Sequence, residues 1–290
     1  MFDKVLNMIG EGSAGVNIGD YMDEADGLLH CKKCGEAKQL KLPIPETLWD
    51  KLGETRVVFR ACACRRAELH LEEEVRRETE RLDNIKKLRR RGIEDEKYLE
   101  CTFDRDDKQE AKIRETCLNY VEKWNEVKEQ NIGLAFVGDV GTGKTFYAAA
   151  IANAMIDKGV AAIITTIPAL HTAMIANYGE NRDFILNQIR SIPLLVLDDV
   201  GVERSTPTAM ENTYTIINER YKAKKPLIIT TNISKAEMLN PATEHEKRIY
   251  DRIVEMCPAF IQPKLKRRHA ISEGKRREAL NLLMGSGVYK

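Results

Sequence analysis

Residues 133–145 read GLAFVGDVGTGKT. Leu134–Val137 is a short apolar run between two glycines, the signature of a strand buried on both faces. From Gly138 to Thr145 the text matches G-x-x-x-x-G-K-[ST], and the Ala-rich run TFYAAAIANAMIDKG after it reads as a helix. In that strand–loop–helix context each residue type has a physical task. The glycines admit positive φ and keep Cβ atoms away from backbone N–H groups that close around a phosphate. Lys144 offers a point charge to β- and γ-phosphates, and the Thr145 hydroxyl is a ligand for Mg²⁺. The helix aims its positive N-terminal end at the same anion. The predicted nucleotide-binding residues are therefore Gly138, Asp139, Val140, Gly141, Thr142, Gly143, Lys144, Thr145 and Phe146.

Downstream, the apolar runs VAAIITTI, PLLVLDDVG, PLIITTN and AFI alternate with helical patterns. Uninterrupted apolar strands separated by helices predict an α/β fold with a parallel sheet covered on both faces. In LLVLDDVG, Asp198 leaves the carboxyl end of a strand beside the phosphate loop, where ligands of open α/β sheets collect. There it would hold Mg²⁺ through water, and Asp199 would polarise an attacking water; the plainer alternative is a turn. Thr230, Thr231 and Asn232 end the next strand, and Asn232 either orients the water or caps the following helix. In EKRIYDRIVE, Arg248 and Arg252 share a helix face at a spacing that is repulsive by a few tenths of a kcal/mol. Either Glu244 and Glu255 compensate them locally, or they face the γ-phosphate of a neighbouring subunit.

Upstream, Arg65–Arg91 contains no Gly or Pro and repeats Glu and Arg at i,i+3 and i,i+4, predicting a solvated, ion-paired helix that Gly92 stops. Its apolar residues Leu69, Leu71, Val75, Leu82, Ile85 and Leu88 lie near a heptad stripe. We read it as a linker over 67–100, between a small domain (1–66) and a larger one (101–290). A short helix is expected within the first 30 residues, and another over roughly 107–129. Cys31-x-x-Cys34 and Cys62-x-Cys64 are two half-sites whose four thiolates make a tetrahedral Zn²⁺ shell. The alternatives are a redox pair or four unrelated thiols, and the βαβ context that a redox pair wants is missing. His30 is a spare ligand candidate, while Cys101, Cys117 and Cys257 read as buried. The C-terminal PKLKRRHAISEGKRREAL is either a phosphate-backbone contact or a solvated helix.

Bulk properties narrow the class. With 46 Lys+Arg against 45 Asp+Glu the net charge is +1, so any nucleic-acid affinity comes from local patches. No 18-residue uncharged apolar run occurs, and no membrane partner is expected. A soluble cytoplasmic protein is predicted, its seven cysteines reduced or metal-bound.

GDVGTGKT, LLVLDDVG, IITTN and RIYDRI, in that order and spacing, resemble the AAA+ ATPases of the DnaC/DnaI/IstB group, as does the lead-in KYLECTFDRDD. The resemblance covers about residues 100–270 and implies a five-stranded parallel sheet of order 5-1-4-3-2 with a reduced lid. It implies ATP as the nucleotide, Asn232 as sensor 1, and Arg252 as an arginine finger with Arg248 beside it. Arg267 or Arg268 would be the sensor-2 arginine, since only 58 residues follow Asn232. Asp199 stands where many AAA+ proteins have Glu, which implies slow, switch-like hydrolysis. The paired cysteine half-sites are similar to the N-termini of DnaC-like proteins. The implied function is ATP-dependent loading of a replicative hexameric helicase onto single-stranded DNA, with side-by-side self-association in the ATP form. The alternatives are an IstB-like transposition helper that binds duplex DNA and recruits a transposase, and a metal-stabilised adaptor with a merely structural nucleotide. A small-molecule kinase would need an acceptor-binding insertion or an arginine-bearing lid, and no segment fits.

Overall fold

The computed structural model of the chain describes residues 19–176, 181–201 and 207–284. Two compact units divide between Arg81 and Leu82. The first unit holds two antiparallel hairpins. Strand β1 (Tyr21–Met22) pairs with β2 (Leu29–His30), and β3 (Gln39–Pro43) pairs with β4 (Thr55–Phe59) in the register Gln39↔Phe59 to Pro43↔Thr55. Its apolar core is thin, with Leu28, Leu29, Cys31 and Cys62 buried. A buried ion pair, Lys38 to Asp20 at 2.6 Å, adds polar definition. A core of this size needs a staple to stay folded. The short helix expected near the N-terminus does not fall within 19–30, which form β1 and β2; residues 1–18 lie outside the described ones.

Helix α1 spans Ala63–Gly92, close to the predicted Arg65–Arg91. Its exposed length carries the expected ion pairs, among them Arg77–Glu73 and Arg76–Glu80 at i,i+4, each stabilising by about 0.3–0.5 kcal/mol. The start comes from outside the helix. The Glu36 carboxylate accepts from the Ala63 N–H at 2.5 Å and, through both its oxygens, from Arg66 Nη2 at 3.0–3.1 Å, placing negative charge at the helix N-terminus. Of the near-heptad residues, Leu69, Leu71, Val75 and Leu82 are exposed and Ile85 is buried. Gly92 ends the helix for a packing reason: a Cβ there would sit 1.9 Å from the Ala162 carbonyl oxygen.

The second unit continues with α2 (Glu96–Leu99), α3 (Ala111–Glu122) and α4 (Trp124–Glu129), the single helix expected over 107–129 being broken at Lys123. Then come β5 (Leu134–Val137), α5 (Lys144–Asp157), β6 (Ala162–Thr166), α6 (Ile167–Ile175) and α7 (Arg182–Ser191). β7 (Leu194–Asp198), α8 (Pro207–Ala223), β8 (Leu227–Thr231), α9 (Lys235–Leu239), α10 (Glu244–Met256), β9 (Ala259–Ile261) and α11 (Arg267–Met284) complete it. The five strands β5–β9 are parallel in the order β6-β7-β8-β5-β9. Counted from β5 as first, that is 5-1-4-3-2, the predicted order. β5, β7 and β8 are buried throughout, which is why their sequences are apolar without alternation. One helix, α11, follows β9 among the described residues, in keeping with a reduced lid.

Arg220 on α8 is fully buried. Its Nη1 donates to the carbonyls of Ile189 (2.8 Å) and Ile192 (2.7 Å), and its Nη2 to those of Pro193 (2.9 Å) and Pro226 (2.5 Å). It thereby closes the end of α7 and joins the entries of β7 and β8, satisfying carbonyls that the prolines and the helix end leave open. Burial pushes its guanidinium down to about 9, still charged at neutral pH.

Candidate nucleotide-binding site

The loop between β5 and α5 wraps a cleft of about 450 Å³, lined by Val140, Gly141, Gly143, Lys144, Thr145, Phe146, Asp199, Asn232 and Arg267. That volume suits a small ligand. Gly143, at φ +96°, leads into α5, and a Cβ there would press on the Arg267 guanidinium at 3.1 Å. Gly138, at φ +130°, ends β5 in a conformation that L side chains rarely adopt. The Lys144 side chain is drawn back into the loop. Its ammonium donates to Gly138 O (2.8 Å), Asp139 O (2.7 Å) and Asn232 Oδ1 (2.9 Å).

Asp198, 2% exposed, ends β7 next to β8 and faces the start of α5. Its Oδ1 accepts from the hydroxyls of Thr145 (2.7 Å) and Thr230 (2.6 Å), and its Oδ2 accepts from the Tyr98 hydroxyl (2.9 Å). Thr230 also accepts the Asp199 N–H at 2.9 Å, holding Asp199 at φ +54°. A non-glycine residue in that region costs on the order of 1 kcal/mol, with Asp among the more tolerant types. Its exposed side chain lines the cleft. The Thr145 hydroxyl beside a buried carboxylate is an oxygen-donor pair that fits Mg²⁺, which keeps most of its waters and takes one or two protein ligands. Thr145 and Asp198 would hold such an ion, which would supply positive charge against the phosphates of a bound nucleotide.

Of the two sensor-2 candidates, Arg267 reaches the loop. It donates to Thr142 O (3.0 Å) and is forked onto Asp107 (2.7 and 2.9 Å) and Glu110 (2.6 Å). Those two carboxylates raise its pKa further. The Arg268 side chain lies outside the described residues. Arg248 and Arg252 are not among the residues lining the cleft. Arg248 is exposed, and Arg252 lies over the rings of Tyr214 (4.8 Å) and Tyr221 (5.6 Å). Arg252 also donates to Asn218 Oδ1 and the Tyr214 hydroxyl, while Glu255 takes the Tyr221 hydroxyl at 3.0 Å. The aromatic cradle and the Asn218 partner had no signal in residue spacing. The same is true of Tyr98: the lead-in resembles that of the family, yet nothing local marks its tyrosine as a partner of Asp198.

A second cluster lies in the first unit. The sulfurs of Cys31, Cys34, Cys62 and Cys64 are all within 4.8 Å of one another. A tetrahedral Zn²⁺ with bonds near 2.3 Å sets sulfurs about 3.8 Å apart, so the four fit one ion. Backbone N–H groups of Cys64 and Glu36 lower the Cys34 thiol to about 6, and sharing a hydrogen bond with Cys34 raises Cys64 to about 12. His30 is not a fifth donor. Its Nδ1 bonds Gly35 O (2.8 Å) and its Nε2 bonds Asp26 Oδ2 (2.9 Å), so the ring braces the Cys31–Gly35 knuckle. Cys117 and Cys257 are buried as expected; Cys101 is half-buried and donates to Lys97 O.

A phosphate loop, an acid at the end of the strand next but one to it and the 5-1-4-3-2 order define a P-loop protein of the AAA+ fold. The chain belongs to the family of IstB-like ATP binding proteins, whose sequence model matches residues 35–260, and it is accordingly an ATP-binding protein of ATPase type. It is 28% identical over 183 residues to the protein YdaV of Escherichia coli K12, covering 62% of this chain and 72% of that one. It is 31% identical over 121 residues to the replicative helicase loader DnaC of the same organism, covering 41% of this chain and 48% of DnaC. A crystal structure of the DnaC helicase loader superposes with a TM-score of 0.50 at 28% identity, covering 59% of this chain and all of that one. Among the described residues no helix is long and apolar enough to cross a membrane.

Proposed function

We propose that this protein is an ATP-dependent loader that places a replicative hexameric helicase on single-stranded DNA in the cytoplasm. The observation that carries the reading is the likeness to the DnaC loader in sequence and in fold across the nucleotide unit. In this reading Lys144 binds the β- and γ-phosphates, and Thr145 and Asp198 hold Mg²⁺. Asp199 and Asn232 position the water, and Arg267 senses the nucleotide. ATP-bound subunits stand side by side, with Arg252 and the neighbouring Arg248 completing the next subunit's site. Hydrolysis is slow and acts as a release switch. A Zn²⁺-stabilised domain (1–66) grips the helicase, and the linker (67–100) joins it to the ATPase domain (101–290). The test is co-purification with a replicative helicase, with and without ATP. A complex that deposits helicase on DNA, lost on Lys144→Ala, is the expected result; no complex in either state overturns it. A second reading, a transposition helper that binds duplex DNA and recruits a transposase, is favoured by the IstB-like family match itself. Binding of a transposase and of duplex DNA in place of the helicase would select it.

A further inference from the structure

Tyr98 sits in α2, well upstream of every nucleotide motif, and is 3% exposed. Its hydroxyl meets Asp198 Oδ2, while Thr145 and Thr230 both meet Oδ1. The tyrosine's own place is fixed from α5, the helix that begins with Lys144 and Thr145. Asn153 Nδ2 lies within hydrogen-bonding distance of Tyr98 O (2.8 Å), Cys101 O (2.9 Å) and Ala149 O (3.1 Å).

We propose that Tyr98 is a positioning residue of the Mg²⁺–nucleotide site, its hydroxyl setting the plane of the Asp198 carboxylate so that Oδ1 faces Thr145. The proposal rests on the nucleotide reading of the cleft. The terminal torsion of an aspartate is broad and roughly two-fold. Two donors on one oxygen leave rotation about that oxygen loosely held, and a donor on the opposite oxygen fixes the plane. A carboxylate is an acceptor only, so its partner must donate. The phenolic hydroxyl of Tyr98 is such a donor. In so buried a place water is poorly able to take over. The plainer role is adhesion, with Tyr98 simply fastening the lead-in to the domain.

The two roles part in Tyr98→Phe, which keeps the ring. In the full-length chain, binding of a fluorescent ATP analogue is measured in EDTA, and Mn²⁺ uptake by the nucleotide complex is followed by paramagnetic resonance. Positioning predicts EDTA affinity within about twofold of wild type and an Mn²⁺ requirement raised about tenfold, the worth of one hydrogen bond to a charged group. The turnover number falls with it, while KM for ATP at saturating metal holds. Asn153→Ala, which loosens the tyrosine's turn but keeps the phenol, should shift the Mn²⁺ requirement the same way. Variants that melt earlier yet take up Mn²⁺ like wild type overturn the proposal in favour of adhesion. A wild-type chain that binds no nucleotide in EDTA or Mn²⁺ overturns the nucleotide reading itself, an outcome distinct from a Tyr98 failure.

Discussion

Asp199 is the residue where conformation and chemistry meet. Its left-handed backbone is held by Thr230, whose hydroxyl also binds Asp198, so one threonine sets both acids at the end of β7. Strain of this kind gathers at functional positions. Asp199→Asn keeps a residue type that tolerates positive φ and removes the charge. We expect ATP affinity unchanged and hydrolysis lowered about 100-fold, the usual scale for a lost general base, measured as phosphate release under saturating ATP. Unchanged hydrolysis would show that Asp199 only shapes the turn. The phosphate-loop residues and Asp198 were legible in the sequence because each motif is local and each residue's task follows from its chemistry. Tyr98 and Thr230 were not legible as partners of Asp198. Their bonds span 100 and 32 residues; the β7–β8 pairing brings Thr230 to Asp198, and the hold of α5 on the α2 turn through Asn153 brings Tyr98.

Helix α1 shows the same division between local and distant information. Its length and solvation follow from Glu/Arg periodicity, and its end at Gly92 was predicted, but the reasons for both ends lie elsewhere in the chain. Glu36 supplies the start, and the Ala162 carbonyl demands the glycine. Gly92→Ala should destabilise the second unit by about 1–3 kcal/mol, as overpacking does, or several degrees of melting temperature for a unit of this size. An unchanged melting curve would mean that the helix end shifts freely. At the other end, Cys62 and Cys64 flank the first residue of α1. Changing both to serine should release about one metal ion per chain, by the four-thiolate stoichiometry, while ATP binding is kept. Metal content by atomic spectroscopy and nucleotide titration check this together.

For the whole molecule, the parallel sheet emerges from strand and helix patterns and its order from the family resemblance, whereas Arg252's surroundings follow from neither. Its two tyrosines and Asn218 come from α8, and together they hold the guanidinium ready without directing it into its own cleft. Action on a neighbour predicts complementation. Lys144→Ala and Arg252→Ala chains, each inactive alone, should regain hydrolysis when mixed, because the first donates an intact arginine to the second's intact loop. A mixture as inactive as its components would remove Arg252 from catalysis. Arg220 carries a further consequence. Sealed beneath four carbonyls, its guanidinium protons reach solvent only when α7, β7 and β8 come apart. In heavy water they should be among the last side-chain protons to exchange, and their rate would clock global opening of the ATPase unit. Nucleotide that stabilises this unit should slow that clock, while stripping metal from the cysteine cluster should leave it running unchanged.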